Sequence, residues 1–277
     1  MSDIGGWSGH HSGMAPLDPA RQTSTRRTER LTAILDTLAA TGAVSVANLS
    51  GALSVSEATL RRDLALLEQQ LLIKRTHGGA RSQDYAYELP VRYRDSQNRH
   101  AKRRIAAACA AAIARKPQAV ALGGGTTTSE VARHLADRAE LTIITNAINI
   151  AMELAMRPRL RVIVTGGVLR SESYELVGAW TERFLESLNI AVTVMGVDGI
   201  SAEGGLTTHD AVEARTDQRM IERAQRVIVV ADKSKLGLVT MAKLAEVSDV
   251  DLLITEADAP PEQIRALRAA GLEVQLA

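Results

Sequence analysis

Two stretches of this 277-residue chain carry residue types at spacings suited to chemistry. The first is VSEATLRRDLALLE, residues 55–68. Its Leu60, Leu64 and Leu67, with Leu71 beyond, fall on one line at 100° per residue and must pack inward. Ala58 and Arg62 then lie roughly opposite, with Thr59 and Arg61 on the flanks. Ser56 stands where a helix N-cap belongs, and acidic Glu57 suits the dipole of the first turn. A small Ala58 lets the helix approach a DNA groove floor. Thr59 can reach a base edge or a phosphate. Arg61 and Arg62 suit guanine and backbone contact, in an order the spacing leaves open. Lys74, Arg75 and His77 follow around Gly78-Gly79, a basic hairpin placed to cover phosphates. A solvated amphipathic helix followed by a loop is the plainer alternative. It leaves the order of cap, turn and hairpin unexplained.

The second stretch is Gly123-Gly124-Gly125-Thr126-Thr127-Thr128, between an apolar run and a helical pattern opening at Ser129. Glycines such as Gly124 and Gly125 let backbone approach an anion. Free N–H groups and the hydroxyls of Thr126, Thr127 and Thr128 then hold phosphate oxygens at a helix N-terminus. A mere tight turn is the competing reading. A dinucleotide site wants G-x-G-x-x-G and an acidic residue ending the next strand. The last glycine is missing, and Asn146 stands where the acid belongs.

The surrounding elements support both readings. Residues 25–41 put Leu31, Ile34, Leu35 and Leu38 on one helix face before Gly42 stops it. Ser45 caps a second helix with Val46, Leu49 and Leu53. From residue 102, apolar runs at 119–122, 141–145, 161–165, 191–197, 227–231, 252–255 and 274–276 alternate with helical stretches. That alternation predicts an α/β domain with a mostly parallel sheet, whose ligands bind beyond the strands' carboxyl ends. There stand the GGGTTT loop, Asn146, Gly166-Gly167, Asp198-Gly199 and, after the fifth run, Lys235. Lys235 suits anion charge; Asn146 and Asp198 suit sugar hydroxyls. His209, Asp210 and Glu213 either extend such a pocket or begin a helix capped by Asp210.

The expected organisation is a disordered tail (1–24), a winged helix-turn-helix (25–82), a linker (83–101) and an α/β sensing domain (102–277). The linker holds Tyr85, Tyr87 and Tyr93, expected to anchor it, with packing of the two domains together as the alternative. Net charge is +1, yet nine bases against five acids fall between Arg21 and Arg81, a basic module on a near-neutral body. Cys109 is alone in an alanine-rich run, so no disulfide framework is expected, and it reads as a small buried hydrophobe. The histidines, including His10 and His11 in the tail, show no ligand spacing, and neither metal nor cofactor is expected. No run approaches membrane-spanning length and no signal peptide is visible, which makes the cytoplasm the expected compartment.

VSEATLRRDLALLE followed by RTHGGA resembles the DeoR family of bacterial regulators. GTTT, LTIITNAINIAMELA, VIVTGGVLR, ELVG, GVDGISAEGGLTT and VVADKSKLG extend the resemblance over residues 24–277. It implies DNA contact through Thr59, Arg61 and Arg62. It also implies a C-terminal domain similar in fold to sugar-phosphate isomerases that binds phosphorylated sugars. Gly125, Thr126, Thr127, Thr128, Asn146, Gly166, Gly167, Asp198, Gly199 and Lys235 would form that site. Two departures stand out. Ser54 occupies a turn position where the family commonly has Gly or Asn. Gly123-Gly124 replaces the Asp-Ser that often precedes GTTT, so a carboxylate for a sugar hydroxyl is missing.

These readings lead to a repressor of carbohydrate genes. It would bind double-stranded operator DNA as a homo-oligomer and leave it when a phosphorylated sugar binds. The rival is a sugar-phosphate isomerase with an appended helical domain. Such an enzyme needs a carboxylate base. Asp198 lacks the acidic neighbour of related isomerases, leaving Glu203 and Glu213 as possible bases. An activator would use the same parts as a repressor.

Overall fold

The computed structural model describes residues 19–70, 72–82, 89–95, 97–116 and 118–277. The expected tail up to residue 18, Leu71, Tyr85 and Tyr87 lie outside them. The chain forms two compact units, divided between Asp84 and Tyr85.

Leucine spacing builds the first unit. Helix α1 (Pro19–Thr41) begins ahead of the expected residue 25 and buries Leu31, Ile34, Leu35 and Leu38. Gly42, at φ 74°, ends it. A short strand β1 (Ala43–Ser45), which no local pattern announces, leads into α2 (Val46–Leu53). Ser45 caps α2 by accepting from the Asn48 N–H at 3.1 Å. Ser54 then turns the chain at φ 52°, ψ 42°, in the left-handed region. Helix α3 (Glu57–Gln69) buries Leu60, Leu64 and Leu67, each at most 1% exposed. Truncating one of these to Ala would cost about 2–5 kcal/mol. Strands β2 (Ile73–Thr76) and β3 (Gly79–Ser82) close an antiparallel sheet in the order β1-β3-β2. The unit is a winged helix-turn-helix.

The second unit starts before residue 102. In the stretch read as a linker, α4 (Val91–Arg94) buries Val91 and Tyr93, and the Val91 N–H donates to the Glu172 carbonyl at 2.8 Å. Helix α5 (Arg99–Ala112) follows, with Cys109 fully buried among apolar neighbours. The body then alternates as expected: β4 (Gln118–Leu122), α6 (Thr126–Leu135), β5 (Leu141–Thr145), α7 (Ile148–Leu154) and β6 (Arg161–Val164). A hairpin of β7 (Val168–Arg170) and β8 (Glu175–Val177) precedes α8 (Ala179–Glu186) and β9 (Val192–Met195). Strands β10 (Gly199–Ser201) and β11 (Gly205–Thr208) lead to α9 (Ala211–Glu222) and β12 (Val227–Val230). The chain finishes with β13 (Ala242–Ala245), β14 (Leu252–Thr255), α10 (Pro261–Ala269) and β15 (Glu273–Leu276).

The seven expected strands form one parallel sheet, ordered β15-β14-β12-β9-β4-β5-β6. Side chains alternate between its faces, so each strand feeds two cores. Val120, Leu122, Ile228 and Val230 pack with α5, α6 and α7. Ala121, Val227 and Val229 pack on the other side with α9, α10 and the small sheet β10-β11-β13. Burial on both faces explains the nearly unbroken apolar runs. From β4 the chain builds outward to β5 and β6 on one side and to β9, β12 and β14 on the other. The switch between β4 and β9 opens a crevice at their carboxyl ends.

Candidate functional site

The first unit presents one polar face. Ser56 caps α3, accepting from the Thr59 N–H at 3.3 Å, and the two hydroxyls lie 3.0 Å apart. Ala58, Arg61 and Arg62 are exposed, and Thr59 is half-buried. Arg61 Nη2 rests 2.8 Å from Glu57 Oε2 in an exposed pair. Such pairs hold only about 0.2–1 kcal/mol, so a phosphate can displace the carboxylate. Lys74, Arg75 and His77 are exposed on the wing, where the Arg75 N–H donates to Glu68 Oε1 at 3.4 Å. A Cβ at position 79 would collide with the Val44 carbonyl, so only glycine fits where the wing meets β1. The Gly78 carbonyl accepts from the Val46 N–H at 2.8 Å and ties the wing to the start of α2.

Asp63, beside the arginines, was not singled out by sequence reasoning. It is 1% exposed and lies 2.6 Å from Arg30 Nε and 3.4 Å from Arg27 Nε. This buried carboxylate fixes the pose of α3 on α1.

In the second unit a cavity of about 90 Å³ opens at the carboxyl ends of β4, β9 and β12. Gly124, Gly125, Thr126 and Thr127 line it, together with Asp198 and Lys235. Gly125 stands at φ 99° immediately before α6, so the loop aims the N-terminus of α6, with its free amides, into the space. Three cations gather there. Arg94 Nη1 lies 2.8 Å and Lys235 Nζ 3.5 Å from Asp198 Oδ1. Lys102 Nζ donates to the Arg94 carbonyl at 2.8 Å. Burial pushes Asp198 up, but Arg94, Lys235 and His209 more than offset it and hold the carboxyl below its usual value. Burial also lowers Lys102, to about 8, against the pull of Asp232.

Five expected effector residues are not brought to the cavity wall. Asn146 follows β5, on the far side of β4, and is wholly buried. Its Nδ2 donates to Glu175 Oε1 at 3.2 Å, so it acts behind a wall residue. Gly166 and Gly167 follow β6, one strand further out. There Thr181 Oγ1 donates to the Gly166 carbonyl, and a Cβ at 167 would strike that hydroxyl. Gly199 is held in β10 opposite Thr207, with the Leu238 carbonyl against its missing Cβ. Thr128 lies a turn inside α6, fully buried. The first four keep the scaffold close-packed rather than face the space.

The acidic part of the wall was only partly foreseen. Glu213 lines it, while Asp210 caps α9 by accepting from the Val212 and Glu213 N–H groups at 2.9 Å. Glu175 and Asp217 join Glu213. Glu175 Oε1 accepts from the Gly124 N–H at 2.7 Å, and a Cβ at 124 would fall within its carboxylate. The carboxylate missing before GTTT is thus matched by one arriving from β8, through the gap Gly124 leaves. Burial and the nearby Glu213 raise Glu175 to about 8. Burial, then Glu175 and Glu213, raise Asp217 as well. The Thr208 hydroxyl, with one proton to give, lies 2.7 Å from Glu213 Oε1 and 3.1 Å from Asp198 Oδ2.

A winged helix-turn-helix and an α/β unit with a polar cavity at its switch point define a DNA-binding regulator with a sensing domain. Comparison with known proteins agrees. The model of the DeoR C-terminal sensor domain matches residues 97–257, and that of the DeoR-like helix-turn-helix domain matches residues 30–86. The chain belongs to the DeoR family of transcriptional regulators. It is 36% identical over 253 residues to the HTH-type transcriptional regulator GlpR of Haloferax volcanii, covering 89% of this chain and 96% of that one. It is 32% identical over 251 residues to the glycerol-3-phosphate regulon repressor of Escherichia coli K12, covering 91% and 99%. Ribose 5-phosphate isomerase A from Methanocaldococcus jannaschii superposes with a TM-score of 0.38 and 16% identity, covering 50% of this chain and 55% of that one. The family and these close relatives are regulators, so the chain is not an enzyme. Among the described residues, no helix is long and apolar enough to cross a membrane.

Proposed function

We propose that the chain is a cytoplasmic repressor of carbohydrate or polyol-phosphate genes, released from its operator when a phosphorylated sugar fills the cavity. The α3 face and the wing read DNA. One short helix contacts too few bases, so two or more copies bind together. The observation that carries the ligand reading is the convergence of the α6 N-terminus with Arg94, Lys102 and Lys235 on one space. Amides and cations placed this way recognise a phosphoryl group. The relative named as a glycerol-3-phosphate regulon repressor supports the same class of ligand. DNA and effector then weaken one another's binding by the same factor.

The test uses operator DNA obtained by binding-site selection and fluorescence anisotropy on the full chain. Changing Arg61→Ala together with Arg62→Ala abolishes DNA binding while phosphorylated sugars still raise the melting temperature. Thr127→Glu places a carboxylate against the phosphate and leaves a regulator that stays on DNA. If no phosphorylated sugar alters either DNA affinity or melting temperature, the reading of the cavity fails.

A further inference from the structure

Two chemically opposite sets of groups line the cavity side by side, since Glu175 meets the Gly124 amide and Thr208 bridges Glu213 to Asp198. One holds the amides of the α6 N-terminus and the three cations. The other is built from Glu175, Glu213 and Asp217, which are 3%, 6% and 4% exposed. On that acidic side the described cation is Arg170, whose Nη1 lies 3.1 Å from Glu213 Oε2 and whose Nε lies 3.6 Å from Asp210. Glu175 is tied to the Gly124 amide and Asn146. Asp217 Oδ1 is buried at the cavity wall without any hydrogen-bond partner.

We propose that the effector is an amino-sugar phosphate, its phosphate held by the α6 amides and cations and its ammonium by Glu175, Glu213 and Asp217. This deepens the reading of the cavity as a phosphorylated-sugar site and rests on it. A neutral sugar brings hydroxyl donors but no charge to offset three neighbouring carboxyls. An ammonium brings three donors and the missing positive charge together. Burial and the neighbouring carboxyls raise both Glu175 and Asp217, so a positive charge beside them favours their ionised forms. A metal ion is the other way to supply it. Added Mg²⁺ distinguishes the two. The acidic wall also depends on a feature of this sequence. Glu175 reaches Gly124 only because that position has no Cβ.

The experiment is calorimetric titration of the full chain at neutral pH with matched ligands. Glucosamine and galactosamine 6-phosphates are compared with glucose and galactose 6-phosphates and with the N-acetylated hexosamine phosphates. The expected result is that at least one amino ligand binds ten-fold or more tighter than both its hydroxyl parent and its N-acetyl form. Asp217→Asn cuts that ratio below three-fold; Glu175→Gln serves if that variant does not fold. Equal or tighter binding of the hydroxyl parents overturns the inference while leaving the phosphorylated-sugar site standing. So does a preference that survives both substitutions, or a requirement for added Mg²⁺. Failure of every phosphorylated sugar to bind instead removes the reading beneath it.

Discussion

Asp63 is almost wholly buried, and both of its partners come from α1. A buried pair broken from one side typically costs about 3–5 kcal/mol, but Arg30 is 19% exposed and water recovers part of that. Asp63→Ala should therefore destabilise the first unit by about 2 kcal/mol in chemical denaturation of the full chain. An unchanged midpoint would mean the pair only orients α3. Asp63 sits in a legible motif, but its role was not legible, because its partners lie 33 and 36 residues away. The cavity repeats the lesson. Gly125, Thr126 and Thr127 were readable because a glycine-rich turn opening a helix is a local signal. Arg94 was not, since its meeting with Asp198 spans 104 residues of sequence and its own segment shows no period. Glu175 and Asp217 had no local signal at all.

Among elements, the seven parallel strands were the easiest to foresee, because burial on both faces writes itself as unbroken apolar runs. The helices after them followed from alternation. What escaped were β1, the β7-β8 hairpin and the small sheet, all with strands of three or four residues set by distant pairing. Helix α4 escaped as well, and with it the fact that residues 91–101 belong to the second unit. The turn between α2 and α3 tests how far local conformation matters. Ser54 holds a backbone conformation that costs a residue with a Cβ about 1–2 kcal/mol. Ser54→Gly relieves that but gains freedom in the unfolded chain. The expected net gain is about 0.5–1 kcal/mol, read as a higher melting temperature. A loss of stability would mean the Ser54 side chain contributes something the backbone argument omits.

For the whole molecule, the acidic wall makes stability depend on pH. Glu175 titrates near 8 when folded, against 4.5 for its ordinary value, and Asp217 is shifted the same way. Between those limits the folded chain keeps protons the unfolded chain releases, so stability is greatest near pH 5 and falls towards pH 8. Glu213, Asp198, Arg170 and Thr208 face the same wall and set the size of the effect. Lys102, lowered to about 8, acts in the opposite direction only above that pH. Melting curves from pH 5 to 8 check this, and Glu175→Gln should flatten them. A parent profile already flat would show that these carboxyls are ionised when folded. Helix α5 has one practical consequence. Its Cys109 thiol is sealed within the core and pushed up to about 12 by burial. Thiol-directed dyes and spin labels should pass the native protein by, so one engineered surface cysteine, on the wing for instance, would carry a reporter with no background to subtract.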